Sequence, residues 1–244
     1  GIMSGAALVF FAYIGFDAVS TVAQEAKNPQ KNLPIGILGS LAICTIIYIL
    51  FAFVMIGLVN YKELNVAAPV AFAIDHTPFP WLKGLIKLAI LTGLTSVILV
   101  LLLGQSRIFY AMSSDRLLPP LFSKIHPKFH TPWISSLILM IFGGVIAAFA
   151  PLETVGQMTS IGTLLAFVIV CLGVLILRYK EPHLHRPFKT PCVPFIPLMG
   201  IGVCLLMMFS LGLATWIRLM IWMIVGMIIY FCYGRHQTIS KTSL

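Results

Sequence analysis

The residues best placed to do chemistry in this sequence lie near its start. Phe10-Phe11-Ala12-Tyr13-Ile14-Gly15-Phe16-Asp17-Ala18-Val19-Ser20 is an apolar run broken by a glycine, with a lone carboxylate two residues beyond the break. A charge at mid-membrane depth costs about 2.5–3.5 kcal/mol on insertion scales. Asp17 therefore needs a partner, a water-filled cavity or a proton. Gly15 is the residue most able to leave helical geometry, and a helix stopped there exposes carbonyls at its negative dipole end. Carbonyls and carboxylate together make a cation-binding corner, of the kind that discontinuous helices build in secondary transporters. The plainer alternative is a glycine that lets helices pack closely and an aspartate snorkelling at the interface.

Other residue types that could carry chemistry are less telling. Thr95-Ser96 hydroxyls could face a cavity or bond back to the preceding turn. His126 and His130 have the i, i+4 spacing of a metal pair, but Pro127 between them argues against a regular helix. They read as surface histidines, as do His183 and His185. The five cysteines are scattered, with no CxxC pair, and read as small hydrophobes. No metal ligand set or catalytic acid–base pair emerges.

The elements that must position these residues are membrane helices. Of 244 residues 59% are hydrophobic and 9% charged, and the mean hydropathy is +1.02. A soluble core of this size cannot hide that much apolar surface, and continuous apolar runs of about twenty residues imply spanning helices, not the alternating strands of a barrel. The expected class is an all-α integral membrane protein of seven transmembrane helices: 2–26 (broken near Gly15), 35–59, 84–109, 133–150, 154–177, 193–214 and 216–233. The connector 60–83 holds a piece, 67–74, too short to cross, which suits an interfacial lid helix. The last two spans are joined closely enough to form a hairpin.

In a soluble protein a net charge of +9 would suggest nucleic acid; here it fits membrane topology. With the loop after the first span in the cytoplasm, Lys62, Lys83, Lys87 and Arg218 lie outside and the other twelve of the 16 Lys and Arg lie inside. Residue 1 is then outside and the C-terminus cytoplasmic. The chain opens within a span, without a basic n-region or cleavage site, and the expectation is a fragment lacking its N-terminal part. Glu25, at the end of the first span, is either a gate residue with a basic partner or a solvated loop acid.

Phe11-Ala12-Tyr13-Ile14-Gly15-Phe16-Asp17, followed by Glu25-Ala26-Lys27-Asn28-Pro29, resembles helix six and the following loop of the amino acid–polyamine–organocation superfamily. The nearest branch is that of bacterial relatives of the cationic amino acid transporters. Gly104-Gln105-Ser106-Arg107-Ile108-Phe109-Tyr110-Ala111-Met112-Ser113 with Leu117-Leu118-Pro119 resembles the end of helix eight, and His126-Pro127-Lys128 with Thr131-Pro132 the approach to helix nine. The resemblance covers nearly the whole chain, with its segments in order.

The resemblance implies a twelve-helix transporter with two inverted five-helix repeats, of which this chain is helices six to twelve. Residues 1–178 would be the second inverted repeat, with lid segment 60–83 and cytoplasmic loop 110–132, and 179–244 the two accessory helices and tail. Phe11 matches the aromatic that caps the substrate, and the carbonyls near Phe11, Ala12 and Ile14 match those that receive its α-ammonium. Asp17 matches an acidic position in the unwound segment. Thr95 and Ser96 match hydroxyls around a sodium or lysine-ammonium site, which displaces the back-bonding reading. Leu101 lines the side-chain pocket, where a leucine restricts the room for a long cationic substrate. Glu25 and Arg107 are the expected gate residues.

The implied function is a non-enzymatic, secondary active amino acid transporter of a bacterial inner membrane, proton-coupled and working by alternating access. Its partners would be an amino acid, protons, the lipid bilayer and the missing N-terminal half, with no cofactor and no nucleic acid. The rival reading is a non-transporting membrane subunit or inactive half-transporter. An intramembrane enzyme is weaker, because Asp17 has no paired acid–base partner in the spans.

Overall fold

The computed structural model describes residues 2–18, 20, 27–66, 68–129, 131–183, 186 and 188–234. Among these residues all the regular structure is helical. The helices are α1 (Ile2–Tyr13), α2 (Pro29–Leu58), α3 (Pro69–Asp75), α4 (Pro80–Ser114), α5 (Trp133–Phe149), α6 (Leu152–Lys180), α7 (Phe195–Ser210) and α8 (Leu213–Ile229). Among the described residues each of the seven expected apolar segments contains a helix, and the short helix α3 occupies the connector where a lid was expected.

Among the described residues four helices are long and apolar enough to cross a bilayer unaided: α2, α4, α6, and α8 with its continuation to Tyr233. The apolar helices α5 and α7 have 17 and 16 residues, about 24–26 Å at 1.5 Å per residue against a hydrocarbon core of about 30 Å. Such short segments are accommodated by local thinning and by snorkelling of flanking polar residues. The outward side chains match a lipid surround: Ile46 is 59% exposed and Phe53 72%.

Two of the boundaries that differ from the sequence expectation reshape the polar loops. Helix α2 starts at Pro29 and not at residue 35, so that Pro34 falls inside it. The Asn28 carbonyl accepts from the N–H groups of Lys31 and Asn32, at 3.1 and 3.0 Å. Asn28 itself is left-handed at φ 50°, a conformation asparagine tolerates better than most residues. Helix α4 runs on to Ser114, making the start of the basic loop helical.

The core centres on α6, which packs against α1, α7 and α8. Ile161, Leu164 and Val168, at i, i+3 and i+7, form its inner stripe, meeting Ala7, Met208, Leu211 and Leu219. Polar side chains join these helices. The Thr215 hydroxyl bonds Gln157 Oε1 at 3.0 Å, and Trp216 Nε1 donates to the Met208 carbonyl at 3.0 Å across the tight α7–α8 turn. Arg186 donates to the Leu177 and Glu181 carbonyls at 2.9 and 2.7 Å, closing the C-terminal end of α6 where the dipole favours a cation.

Helices α4 and α5 pack together around a 3-10 turn, Pro120–Ser123. Two buried serines hold that turn. Ser113 donates to the Pro119 carbonyl at 2.7 Å and Ser135 to the Phe122 carbonyl at 3.0 Å. Helix α3 lies on α4 and touches α2.

Candidate functional site

The break in the first span is built as its sequence suggests. Helix α1 ends at Tyr13, Gly15 has φ +126°, and a 3-10 turn covers 16–18. That φ is open to glycine and strained for any L-residue with a Cβ. Asp17, half-buried, accepts from the Gly15 N–H through Oδ1 at 3.2 Å. The carboxylate thus satisfies a backbone donor freed by the break. Ser20 Oγ donates to the Asp17 carbonyl at 2.6 Å, and Ala18 N–H to the Gly15 carbonyl at 3.1 Å.

Two of the three carbonyls expected to receive an ammonium already have partners. The Phe11 carbonyl accepts from Ile14 N–H at 3.3 Å, and the Ala12 carbonyl from the Tyr48 hydroxyl of α2 at 3.1 Å. Each carbonyl oxygen keeps a second lone pair. The Tyr48 ring also meets Tyr13 edge-on, centroids 5.1 Å apart. A cavity of about 270 Å³ lies here, lined by Ala12 through Phe16 and by Ser40, Leu41, Cys44 and Tyr48. The Ile14 and Ala12 positions therefore line one cavity, whereas Phe11, 40% exposed, is not among its lining residues.

The α2 wall of this cavity was not anticipated from the sequence. Ser40, Cys44 and Tyr48 recur every four residues on a helix otherwise dominated by aliphatic side chains, so they share one face. That small-polar stripe was the available signal.

The remaining expected site residues lie elsewhere. Thr95 Oγ1 donates to the Leu91 carbonyl and Ser96 Oγ to the Gly93 carbonyl, both at 2.8 Å within α4. Both residues are exposed, and so is Leu101 at 42%. Arg107 lines a cavity of about 510 Å³ between α4 and α5, with Ser106, Thr131, Trp133 and Ser136 among its neighbours. Glu25 lies outside the described residues, as do His130 and His185. His126 Nδ1 accepts from the N–H groups of Lys128 and Phe129, at 3.2 and 3.3 Å, and so shapes its own loop. Among the described residues no three His, Cys, Asp or Glu side chains come together as a metal-ion set.

An ion pair ties α3 to α4. Lys87 Nζ sits 3.0 Å from Asp75 at the end of α3, and Lys83 Nζ donates to the Asp75 backbone carbonyl at 2.7 Å. The hydrogen bond from Lys87 holds the Asp75 carboxyl below its ordinary pKa of 3.8.

Comparison with known proteins bears on all of this. A family model described as amino acid permease matches residues 1–230. The methylthioribose transporter of Bacillus subtilis is 43% identical over 242 residues, 99% of this chain and 52% of that protein. The branched-chain amino acid permease of the same bacterium is 42% identical over 239 residues, 98% of this chain and 51% of that protein. The vacuolar cationic amino acid transporter 4 of Arabidopsis thaliana is 42% identical over 182 residues, 75% of this chain and 30% of that protein. The chain spans about half the length of the two Bacillus relatives.

Proposed function

This chain belongs to the amino acid permease family, and on that premise we propose that it forms part of a secondary active amino acid transporter of a bacterial inner membrane. Uptake is proton-coupled and proceeds by alternating access. Residues 1–178 act as the second inverted repeat, and 179–244 as accessory helices and tail. A partner segment, corresponding to the half of the relatives that this chain does not cover, completes the site. Residue 1 faces outward and the C-terminus the cytoplasm, the orientation that leaves twelve of the 16 basic residues inside.

The observation that carries the proposal is the break itself: a glycine at φ +126° with Asp17 folded back on it and the Ala12 carbonyl beside a cavity. Helix-end carbonyls attract a cation and the cavity walls are largely apolar, so the corner suits the α-ammonium of an amino acid with an apolar side chain. Ala12 and Ile14 supply backbone acceptors, Phe11 covers the substrate, and Leu101 limits its side chain. Thr95 and Ser96 serve the coupling-ion site once the partner segment is in place, and Glu25 and Arg107 serve the cytoplasmic gate. Coupling requires a group whose pKa differs between outward and inward states, so that its proton is taken up on one side and released on the other. Asp17, folded back on the break, belongs with the substrate-binding residues.

The test is uptake by proteoliposomes of the complete transporter, with and without an inward proton gradient, for wild type and Asp17→Asn. L-leucine, L-lysine and methylthioribose are compared. Gradient-driven leucine uptake that collapses in the variant supports the proposal. Uptake indifferent to the gradient refutes the coupling, and uptake indifferent to the substitution removes Asp17 from the site. Transport of methylthioribose alone refutes the amino acid reading, and transport of none of the three favours a non-transporting subunit.

A further inference from the structure

We infer that Tyr48 of α2 is the residue through which this site selects an ammonium group, a role that rests on the amino acid reading above. Its hydroxyl bonds a carbonyl, that of Ala12, at 3.1 Å. A carbonyl cannot donate, so the hydroxyl proton is committed to it and the lone pairs of Tyr48 Oη remain as acceptors. Ser40, two turns away on the same face, is in the same condition: its hydroxyl donates to the Ile37 carbonyl at 3.0 Å. Both residues line the cavity at the break. The side-chain hydroxyls on that wall therefore turn acceptors, not donors, towards a ligand.

An alkylammonium has three N–H donors and no acceptor, the complement of such a wall. A hydroxyl oxygen that is itself donating is polarised and accepts more strongly. Tyr48 acts at two points: it offers Oη to the ammonium, and it orients the Ala12 carbonyl whose second lone pair receives another N–H. A ligand carrying a hydroxyl in place of the ammonium can satisfy only one of these acceptors. The edge-on packing of Tyr48 against Tyr13 fixes the hydroxyl relative to the break. That ring contact survives replacement by phenylalanine.

The experiment measures KM for radiolabelled L-leucine and Ki for L-α-hydroxyisocaproate, the analogue with a hydroxyl in place of the ammonium. It uses the complete transporter in proteoliposomes. Tyr48→Phe is expected to raise the leucine KM about tenfold, the scale of one lost hydrogen bond to a charged group, and to leave the Ki for the hydroxy acid unchanged. Ser40→Ala, which barely alters packing, is expected to shift the leucine KM in the same direction by less. An unchanged leucine KM in Tyr48→Phe overturns the inference. So does an equal weakening of both ligands, the mark of a merely structural tyrosine. Wild-type protein that accumulates methylthioribose and no leucine defeats the amino acid reading itself, and is recognised before any variant is made.

Discussion

Replacing Gly15 by alanine tests the central geometric claim, because the structure separates backbone strain from crowding. A Cβ built on Gly15 meets nothing within 4 Å, so the substitution costs no steric clash. What it meets is φ +126°, a region that costs an L-residue on the order of 1–3 kcal/mol. The chain can escape that cost by continuing α1 through residue 15, which abolishes the break. A bias of this size lowers the population of the broken state about 5- to 150-fold, and raises the apparent KM for the substrate by the same factor. Hydrogen–deuterium exchange over residues 11–18 should slow as the helix closes. Gly143, in the middle of α5 with equally open space and no positive φ, is the control. Gly143→Ala should leave uptake unaltered and stabilise the helix by about 0.5–1 kcal/mol. Wild-type KM and exchange in Gly15→Ala would refute the reasoning, as would an equal loss in Gly143→Ala.

Further expectations concern the supports around the site. Asp17→Asn keeps an oxygen that can accept from the Gly15 N–H, whereas Asp17→Ala leaves that donor unpaired, so exchange at the break should quicken only in the alanine variant. Ser135→Ala removes a buried hydroxyl bonded to the Phe122 carbonyl and should destabilise the α4–α5 corner by about 1–2 kcal/mol, seen as a lower Tm and faster proteolysis of the loop between these helices. A double-mutant cycle on Thr215→Val and Gln157→Leu should return a coupling of about 0.6 kcal/mol, the usual size for an interhelical hydrogen bond in a membrane protein. The Asp75 carboxyl has its pKa held below 3.8, so its contribution is complete above that value and disappears as pH falls through the lower, folded-state pKa. Exchange in α3 should accordingly quicken only in strong acid, and also in high salt, which screens this exposed pair.

The spans were legible because apolar runs leave few alternatives to helix in a bilayer, and the break because a glycine followed by an intramembrane acid has few other uses. The start of α2 was expected at residue 35, since either of two prolines five residues apart can begin a helix; the helix begins at Pro29, behind the left-handed Asn28. The hydroxyl–carbonyl contact across the break was not legible at all. It joins residues 36 positions apart, and no local pattern around Tyr48 shows which helix its hydroxyl will meet. The stripe of Ser40, Cys44 and Tyr48 marks a face without naming what lies opposite.

That long-range contact changes the energetic problem at the site. On sequence alone the break looked like a set of bare groups awaiting a ligand. In the structure Gly15 N–H is taken by Asp17, the Gly15 carbonyl by Ala18 N–H, the Phe11 carbonyl by Ile14 N–H and the Ala12 carbonyl by Tyr48. Such mutual satisfaction is what lets an interrupted helix exist within a membrane, where each unpaired backbone group costs several kcal/mol. At those carbonyls a ligand must use the lone pairs that the internal bonds leave over. Acceptors of that kind favour a donor-rich cation over a ligand that brings acceptors of its own.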